Sequence, residues 1–340
     1  MSISSRPSAE DGSRAWTTRL ARYREPVLGR GIFELAVSAA AFLASWIGAW
    51  LSLRAAFWPG MLLILPAAGF LVRLFMIQHD CGHGSFFANR RLNDWTGRLI
   101  GILTLTPYGY WRRVHNVHHS TTGNLDRRGT GDVWTLTVRE YEALPLLGRL
   151  RYRLARNPLV LFGLGPIWVF LLSYRLPLGY LRGREMWMST LATNLAVAAL
   201  IAGLMMLIGV GPFLAIHLPV MLLAATAGVW LFYVQHQYED TYWEDQKGWD
   251  FHDGALHGSS HYDLPTPLRW LTLNIGMHHI HHLCSRIPSY RLPEVLRDHP
   301  ELREVGRITL RQSLGCLRLN LWCEQRRRLV SFRQARLAAA

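Results

Sequence analysis

Charged residues are scarce in this sequence, and they are missing altogether from several long stretches. Only 18% of the 340 residues are Asp, Glu, Lys or Arg, whereas 50% are hydrophobic. The longest uncharged stretch runs from Met186 to Tyr238, and a helix of a soluble protein has no need for so long a neutral segment. The composition therefore excludes a purely soluble protein and predicts an all-α protein that crosses a membrane several times.

Two other features are missing. The four cysteines (Cys81, Cys284, Cys316 and Cys323) form no CxxC pair, so we expect reduced thiols rather than a disulfide framework. The first 25 residues contain five Arg and lack the apolar stretch of a signal peptide. We therefore predict that residues 1–30 form a cytoplasmic tail.

Four apolar segments are long enough to span a hydrocarbon core of about 30 Å, which takes about 20 helical residues. The predicted spans are about 31–53, 55–77, 187–208 and 213–236. Arg54 marks the turn between the first two spans, and Gly209, Gly211 and Pro212 divide the last two.

Two further apolar stretches are ambiguous. Leu99 to Trp111 has 13 uncharged residues, which is too short for a crossing, so we expect a re-entrant or interfacial segment. Asn157 to Tyr174 has 18, but arginines flank it on both sides. The positive-inside rule places both flanks in the cytoplasm, so we predict an interfacial or re-entrant helix, with a fifth span as the alternative.

The C-terminal part of the chain is polar and basic. We predict a membrane domain over residues 31–305 and a basic amphipathic segment over 306–340, in which Leu310 to Phe332 forms a helix that lies on the membrane. The chain has 37 Lys and Arg against 23 Asp and Glu, a formal net charge of +14. Anionic lipid head groups are the expected counter-charge, and an acidic soluble partner is the alternative.

Histidines cluster in three short motifs: HDCGH, HNVHH and HHIHH. Their eight candidate ligands are His79, His83, His115, His118, His119, His278, His281 and His282. On a helix, residues spaced by three or four positions share a face, so each motif presents two or three imidazoles together. Eight imidazoles exceed the ligand number of one ion, which implies two ions. Structural zinc usually recruits Cys, so mostly histidine donors favour a redox centre, with iron as the leading expectation.

The predicted topology agrees with a shared site. Two spans precede the first motif and two lie between the second and third, so all three motifs reach the cytoplasmic face. A fifth crossing at Asn157 to Tyr174 would move the third motif to the opposite face. The histidines themselves therefore favour four spans.

The remaining histidines are weighed one by one. His236, at the end of the fourth span, is expected to be a ninth ligand rather than an ordinary interfacial histidine. We expect His279 outside the ligand set but close to it, His257 and His261 in a surface or gating role rather than as ligands, His217 in an apolar helix, in the core or facing lipid, and His252 and His299 on the surface.

Carboxylates and thiols near the motifs have two interpretations. Asp80, Asp126, Asp132 and Asp263 can each accept the second N–H of a ligating imidazole, or can serve as a helix cap or salt-bridge partner. Cys81 and Cys284 are expected to be small packing residues rather than soft ligands.

With their flanks, the motifs resemble the membrane-bound fatty acid desaturase superfamily over roughly Gly31 to Leu296. The segments HDCGHGSFF, RRVHNVHHSTTGNLDRRGTGD, YVQHQYEDTYWE and NIGMHHIHHLCSRIPSYRLPEV are similar to bacterial relatives of the Δ12 (omega-6) acyl-lipid desaturases. The resemblance implies a di-iron centre that uses O₂ and two electrons to remove two hydrogens from an acyl chain. It places iron ligands at the eight motif histidines and at His236.

The resemblance carries one departure. Some relatives have an Asn, which acts through a water, four residues before the histidine that matches His236, and here that position is Phe232. Asn274, four residues before His278, is the alternative.

A long apolar slot must hold the acyl chain, and we predict lining from Leu99 to Trp111 and Asn157 to Tyr174, with packing against lipid as the alternative. The sequence has no GxGxxG fingerprint, so electrons are expected from a separate ferredoxin or cytochrome. The expected location is a bacterial inner membrane with both termini and all motifs cytoplasmic. The rival functions are a hydroxylase or carotenoid ketolase on the same scaffold and, remotely, a metal transporter, which would need polar groups inside its spans.

Overall fold

The computed structural model describes residues 15–177 and 183–339, and these residues are mostly helical. Their helices are, in chain order, α1 (Leu28–Arg54), α2 (Ile64–His83), α3 (Arg90–Leu103), α4 (Tyr108–Thr121), α5 (Val138–Ala143), α6 (Leu146–Ala155), α7 (Arg184–Ile208), α8 (Val210–His236), α9 (Phe251–His257), α10 (Thr266–Leu271), α11 (His278–Leu283), α12 (Leu292–Asp298), α13 (Leu310–Ser313) and α14 (Phe332–Ala339). Shorter 3₁₀ turns are Leu20–Tyr23, Trp58–Leu63, Ser173–Arg175, Ser289–Arg291, Pro300–Glu304 and Leu314–Arg318. The strands are β1 (Leu136–Thr137), β2 (His261–Asp263), β3 (Arg307–Thr309), β4 (Leu321–Cys323) and β5 (Arg328–Val330).

Four helices in the described part of the chain are long and apolar enough to cross a membrane, as predicted. They cover Leu28–Arg54, Trp58–His83, Arg184–Ile208 and Val210–His236. Gly209 separates the last two with φ +89°, a left-handed conformation that glycine adopts without a steric penalty. The second helix continues past the predicted end at residue 77, because the first histidine motif is itself helical.

The four long helices differ in how far they are buried. In the most apolar window of the second helix 50% of the residues are buried, whereas in that of α7 the value is 0%. Leu71, Leu74 and Ile77 of α2 lie in the main hydrophobic core. Helix α2 is therefore the centre of the bundle, and α7 presents its apolar side chains outward, as a lipid-facing helix does.

Residues 160–175 form a chain of short helical turns, which we call the broken helix. Two of the turns, Val160–Leu164 and Trp168–Leu172, have the wide π-helical form. Pro166 lacks a backbone N–H to donate, and the broken helix meets α6 at a bend of 61°. This geometry fits either a broken span or a re-entrant loop, so the interfacial or re-entrant assignment stays a prediction.

The stretch from Leu99 to Trp111 is two elements rather than one segment. It contains the end of α3 and the start of α4, and the turn between them includes Leu105 with φ +54°. Helix α3 begins where the Asn89 side chain accepts a hydrogen bond from Leu92 N at 3.1 Å. Its Trp95 and Leu99 side chains are exposed, which is the amphipathic pattern of a helix lying at a membrane surface.

The C-terminal region contradicts one prediction. Leu310 to Phe332 is not one amphipathic helix, because β4 and β5 pair with each other and β4 also pairs with β1. Leu321 and Cys323 face a cluster around Tyr152, whereas Trp322 between them packs with Trp243. Successive side chains therefore face opposite sides, which is the two-residue period of a strand. The prediction interprets the mixture of Leu, Trp and Arg as the pattern of an amphipathic helix.

The described part of the N-terminal segment packs onto the rest of the protein. Leu20 and Tyr23 are buried in a cluster with Ile280 and Leu283 of α11. Residues 1–14 of the predicted tail lie outside the described residues. The predicted domains, 31–305 and 306–340, remain a prediction. Strand β2 before the boundary between them pairs with strand β3 after it.

Candidate metal centre

The candidate ligands converge at the ends of four helices. His79 and His83 lie on the last turns of α2, and His236 is the last residue of α8. Helix α4 carries the second motif, and α11 carries the third. Each motif is helical, so the spacing does place imidazoles side by side as the sequence predicts.

The nine histidines form two groups in which the potential ligand atoms all lie within 4.8 Å of one another. The five-histidine group consists of His79, His83, His115, His119 and His281, and the four-histidine group consists of His118, His236, His278 and His282. The structure thus brings together every predicted ligand, including His236. Two groups of this size match the expectation of two ions.

The nitrogen geometry tests whether each group fits a metal ion. In the four-histidine group, His236 Nε2 lies 3.1 Å from His118 Nε2 and 3.0 Å from His278 Nε2. In the five-histidine group, His119 Nε2 lies 3.0 Å from that of His115 and 3.2 Å from that of His281. Imidazole nitrogens about 2.1 Å from an ion and at right angles to each other would lie about 3.0 Å apart. These nitrogen–nitrogen distances would suit ligands of one octahedrally coordinated ion, whereas side chains of a hydrophobic core do not point their nitrogens at one another.

Two further observations support the fit. The Nε2 atoms of His79 and His83 are buried without any hydrogen-bond partner, which is costly unless a ligand occupies that side. Burial also holds the pKa of five of these imidazoles well below 6.5, so they are neutral at neutral pH and can offer an unprotonated nitrogen to a metal. This holds for His115, His119, His278, His281 and His282, and neighbouring imidazoles add to the effect.

Carboxylates and a carbonyl orient three of the imidazoles. His118 Nδ1–H donates to Asp132 at 2.5 Å, His79 Nδ1–H to Asp80 at 3.2 Å, and His236 Nδ1–H to the Gly258 carbonyl at 2.9 Å. Such contacts fix which nitrogen faces the metal. Two of the four predicted carboxylates are therefore beside candidate ligands.

The other two carboxylates contact no candidate ligand, and only Asp263 takes the predicted alternative role of salt-bridge partner. Asp126 accepts from Gln246 N, and Asp263 pairs with Arg307 at 2.8 Å. Cys81 and Cys284 are absent from both groups, and all four cysteines, which lie within the described residues, are buried free thiols.

The remaining histidines lie outside both groups. His279 points its Nε2 at the Leu302 carbonyl, 2.9 Å away, and His217 stacks on Phe213. His252 lies 3.7 Å from Asp250, and His257 ends α9.

The prediction of a surface position for His261 is wrong. Only 4% of the residue is exposed, because β2 pairs with β3 and its Nδ1–H donates to the Arg303 carbonyl at 2.6 Å. His299 also departs from a bare surface position, since its ring packs edge-on against Trp16 at 5.3 Å.

Phe232 fills the position where some relatives carry Asn. Its ring lies 5.1 Å from the ring of His118 and 5.1 Å from that of His236. Asn274 has φ +61°, and its amide donates to the Ser289 carbonyl at 3.2 Å. A metal-directed role for Asn274 stays a prediction.

A cavity of about 800 Å³ opens beside both groups and is walled by His79, His115 and His278. Both predicted stretches contribute to its wall: Thr104, Tyr110 and Trp111 from the first, and Leu161, Trp168, Val169, Phe170, Ser173 and Tyr174 from the second. The rest of the wall comes mainly from α2, α8 and the loop at residues 129–134. A mostly apolar cavity therefore reaches the candidate metal centre.

Sequence reasoning missed one contact and one residue of this site. Trp111 stacks on His115 with ring centroids 4.7 Å apart and planes 14° from parallel, and its position four residues before His115 on a helix was the available signal. Arg156 lines the cavity although only 4% of it is exposed. Nothing in the sequence separates Arg156 from the other arginines of α6.

Comparison with known proteins gives a consistent result. The sequence model described as fatty acid desaturase matches residues 55–313. A Bacillus subtilis protein named "Fatty acid desaturase" is 44% identical over 317 residues, which cover 93% of this chain and 90% of that protein. A Synechocystis "sn-1 oleoyl-lipid 12-desaturase" is 29% identical over 65% of this chain and 63% of its own length. A Nostoc "sn-1 acyl-lipid omega-3 desaturase (ferredoxin)" is 30% identical over 77% and 70%.

Proposed function

Because this chain belongs to the fatty acid desaturase family, we propose that it is an O₂-dependent acyl-chain desaturase that holds one iron ion in each histidine group. The observation that carries this proposal is the position of the two groups at the wall of one mostly apolar cavity. A C–H bond of a saturated chain offers no charge for acid–base catalysis, so the oxidising power must come from bound metal and O₂.

In this proposal the protein supplies ligands, position and exclusion of water. The nine histidines hold the ions, and Asp80 and Asp132 keep His79 and His118 in the metal-binding tautomer. When bound, the two irons supply O₂ activation. Two hydrogens leave adjacent carbons, and with two electrons and two protons from a donor, O₂ is reduced to two waters.

The substrate assignment follows from the cavity wall. A volume of about 800 Å³ lies within the range of about 300–1,000 Å³ typical of small-molecule sites. The side chains of Phe75, Leu161, Phe170 and Met221 give an apolar path suited to an alkyl chain. We propose that residues 31–305 bind an acyl lipid or acyl thioester there, beside the metals.

The finer reaction is also a proposal. We propose insertion of a cis double bond at the Δ12 (omega-6) position, converting oleoyl to linoleoyl chains. Similarity to the Synechocystis protein named for 12-desaturation supports it, while the Bacillus protein carries only the general name. From the distribution of arginines around the spans, we also propose a bacterial inner membrane with the histidines on the cytoplasmic face. We propose a ferredoxin or cytochrome donor as well, and one similar protein carries ferredoxin in its name.

The deciding experiment is gas chromatography with mass spectrometry of fatty acids from a bacterial host that expresses the chain with a ferredoxin system and receives oleate. A diene that appears with the intact protein and not with His118→Ala is the expected result, and its double-bond position tests Δ12. A new double bond elsewhere would keep the desaturase and reject the position. Hydroxylated or ketone products, from protein with two irons per chain, would reject desaturation.

A further inference from the structure

At the broken helix, the wall of the cavity is only one element thick. Trp168 lines the cavity, and 63% of the residue is exposed. Leu71 and Val72 of α2 line the same cavity but are only 2% and 6% exposed, so facing the cavity adds little to the exposure of a residue. Most of the exposed surface of Trp168 therefore lies on the outside of the protein. At this point no other element of the described chain separates the cavity from its surroundings.

The outer surface of the broken helix is apolar. Residues 157–174 contain no Asp, Glu, Lys or Arg. Leu164 and Leu172 are 62% and 54% exposed, beside the exposed Trp168. A contiguous exposed apolar surface on a chain with several apolar helices is the kind of surface that contacts lipid. The broken helix therefore separates the cavity from the hydrocarbon of the bilayer rather than from water.

The broken helix is anchored near its two ends. At the start, the Phe162 carbonyl accepts a hydrogen bond from Thr226 Oγ1 of α8 at 2.9 Å. At the end, the Arg175 guanidinium donates to the Asn194 side chain of α7 at 2.7 Å. Between these anchors, no hydrogen bond joins residues 163–173 to any other element of the described chain. The middle of the broken helix is therefore held by packing alone.

The sequence of this middle part makes a weak helix. Glycine is a poor helix former, and Pro166 between Gly165 and the next turn cannot donate a backbone hydrogen bond. Packing does not require either glycine: a Cβ at Gly163 would meet no atom within 4 Å, and one at Gly165 would meet only the Val160 carbonyl oxygen at 3.6 Å. The two glycines therefore lower the cost of unwinding this segment, and they are not needed to make room for a neighbour.

The other exposed part of the cavity wall is the loop at residues 129–134, which includes the exposed Gly129 and Gly131. Asp132 in this loop holds His118 Nδ1 at 2.5 Å, so a displacement of the loop would disturb a candidate ligand. Among the described residues, no hydrogen bond or ring contact joins the broken helix to a candidate ligand. The broken helix can therefore move without disturbing the metal centre.

We propose that the broken helix is a lateral gate. Residues 163–173 move outward about Gly163 and Gly165 and admit one acyl chain of a membrane lipid from the bilayer into the cavity. This inference rests on the proposed function, and it names a bilayer lipid, rather than a soluble thioester, as the substrate. Opening exposes apolar side chains to hydrocarbon and not to water, so it carries little hydrophobic penalty.

The test is photo-crosslinking of the metal-loaded protein in nanodiscs of phosphatidylglycerol. The probe is a lysophosphatidylglycerol whose single acyl chain carries a diazirine at its middle. It is added at time zero, and samples are flashed after increasing delays. Cross-links on α7, which contributes no residue to the cavity wall, report arrival of the probe in the bilayer. Cross-links on residues 71–76 of α2 report entry into the cavity, and we expect them to follow those on α7.

Gly163→Ala combined with Gly165→Ala should slow the α2 cross-links by about 25-fold and leave the α7 cross-links unchanged, because each alanine favours the helical form by about 5-fold. Thr226→Val removes the anchor of the Phe162 carbonyl, so it should instead speed the α2 cross-links by about 2- to 10-fold. Gly203→Ala is the matched control: it lies on α7, its Cβ would also meet no atom within 4 Å, and it should change neither rate.

Unchanged α2 rates in both the double-alanine variant and Thr226→Val would overturn the gate, and so would equal slowing by Gly203→Ala. A second probe is an acyl-coenzyme A that carries the same diazirine and is supplied from water. If it labels α2 before α7, the chain enters by another route and the gate is rejected.

Absence of α2 cross-links with both probes in the intact protein would instead reject the acyl-binding cavity, and with it the proposed function. Metal content and melting temperature of each variant separate these outcomes from misfolding. If the double variant fails to fold, the two single alanine variants decide: slowing of the α2 cross-links by about 5-fold in each supports the gate, and unchanged rates overturn it.

Discussion

The two histidine groups use the same residue type in different surroundings. All members of the four-histidine group are buried, whereas His83 and His115 of the five-histidine group are only partly buried. Each motif pair spaced by four residues stays within one group: His79 with His83, His115 with His119, and His278 with His282. The middle histidine of each HxxHH motif, His118 or His281, belongs to the other group. One helix therefore contributes histidines to both groups. Spacing by four residues, and not membership of the same motif, predicts which histidines share a group.

The difference between the groups has a physical consequence. The four-histidine group has no fifth histidine among the described residues that could replace a lost ligand. Two of its imidazoles are held in orientation by hydrogen bonds, His118 by Asp132 and His236 by the Gly258 carbonyl. The five-histidine group has one more donor and more access to solvent. We expect the first to depend on each residue and the second to tolerate a loss.

The largest expected effect comes from deleting one ligand in each group. His282→Ala leaves three histidines in its group, and His83→Ala leaves four in the other. We expect His282→Ala to lower metal affinity at its site by more than about 100-fold, beyond the cost of losing an outer partner, and to leave one ion per chain. His83→Ala should retain closer to two. Metal analysis of purified protein decides, and equal losses would reject the distinction.

The orienting carboxylates give the next largest effect. Asp132→Asn should weaken metal binding at the four-histidine group by about 10- to 100-fold, because it replaces the charged acceptor of His118 Nδ1–H with a neutral amide oxygen. Asp80→Asn should cost less, because its contact with His79 is longer, 3.2 Å against 2.5 Å. Competition with a chelator measures both. A larger effect at Asp80 would reverse the order of the two groups.

Lowering the pH should destabilise the metal-free protein. The pKa values of His119, His278 and His282 lie well below 6.5 in the folded state, mainly through burial. Below pH 6.5 the unfolded chain gains protons that the fold excludes, so stability falls as pH falls, by up to about 1.4 kcal/mol per histidine per pH unit. Melting temperatures of the metal-free protein at pH 8 and pH 5.5 test this. An unchanged melting temperature would contradict it.

The smallest effect is expected at His279, which lies between two ligands in sequence but outside both groups. His279→Gln should leave two ions per chain and cost only about 1 kcal/mol, through its bond to the Leu302 carbonyl. Loss of either ion in this variant would show that the groups extend beyond the nine histidines. Metal analysis beside chemical unfolding gives both values.

Much of this site follows from sequence because it depends on local spacing. Helical spacing predicts which imidazoles share a face, and span counting predicts that the motifs meet. The division into two groups does not follow, because it depends on how α4 and α11 cross. The same limit applies to Arg156 and to His261, whose burial results from partners distant in sequence.

The C-terminal region shows a different limit. Leu321, Trp322 and Cys323 mix with arginines in a pattern that fits a helix in a window of this length. These residues form a strand because they pair with β1, which lies far earlier in the chain. The local sequence pattern cannot predict such a distant partner. Hydrophobic periodicity is informative for long helices and weak for three-residue strands.

Both histidine groups combine residues from the second and third motifs, and this has a consequence for biogenesis. His119 and His278 are separated by 159 residues, including the last two spans. At a synthesis rate of about 5–20 residues per second, the earlier ligands wait roughly 10–30 s for the later ones. Neither group is complete while the ribosome is still making the final spans. Under the proposed function, metal loading is therefore a late maturation step, and the metal supply acts on a finished helix bundle rather than on a nascent chain.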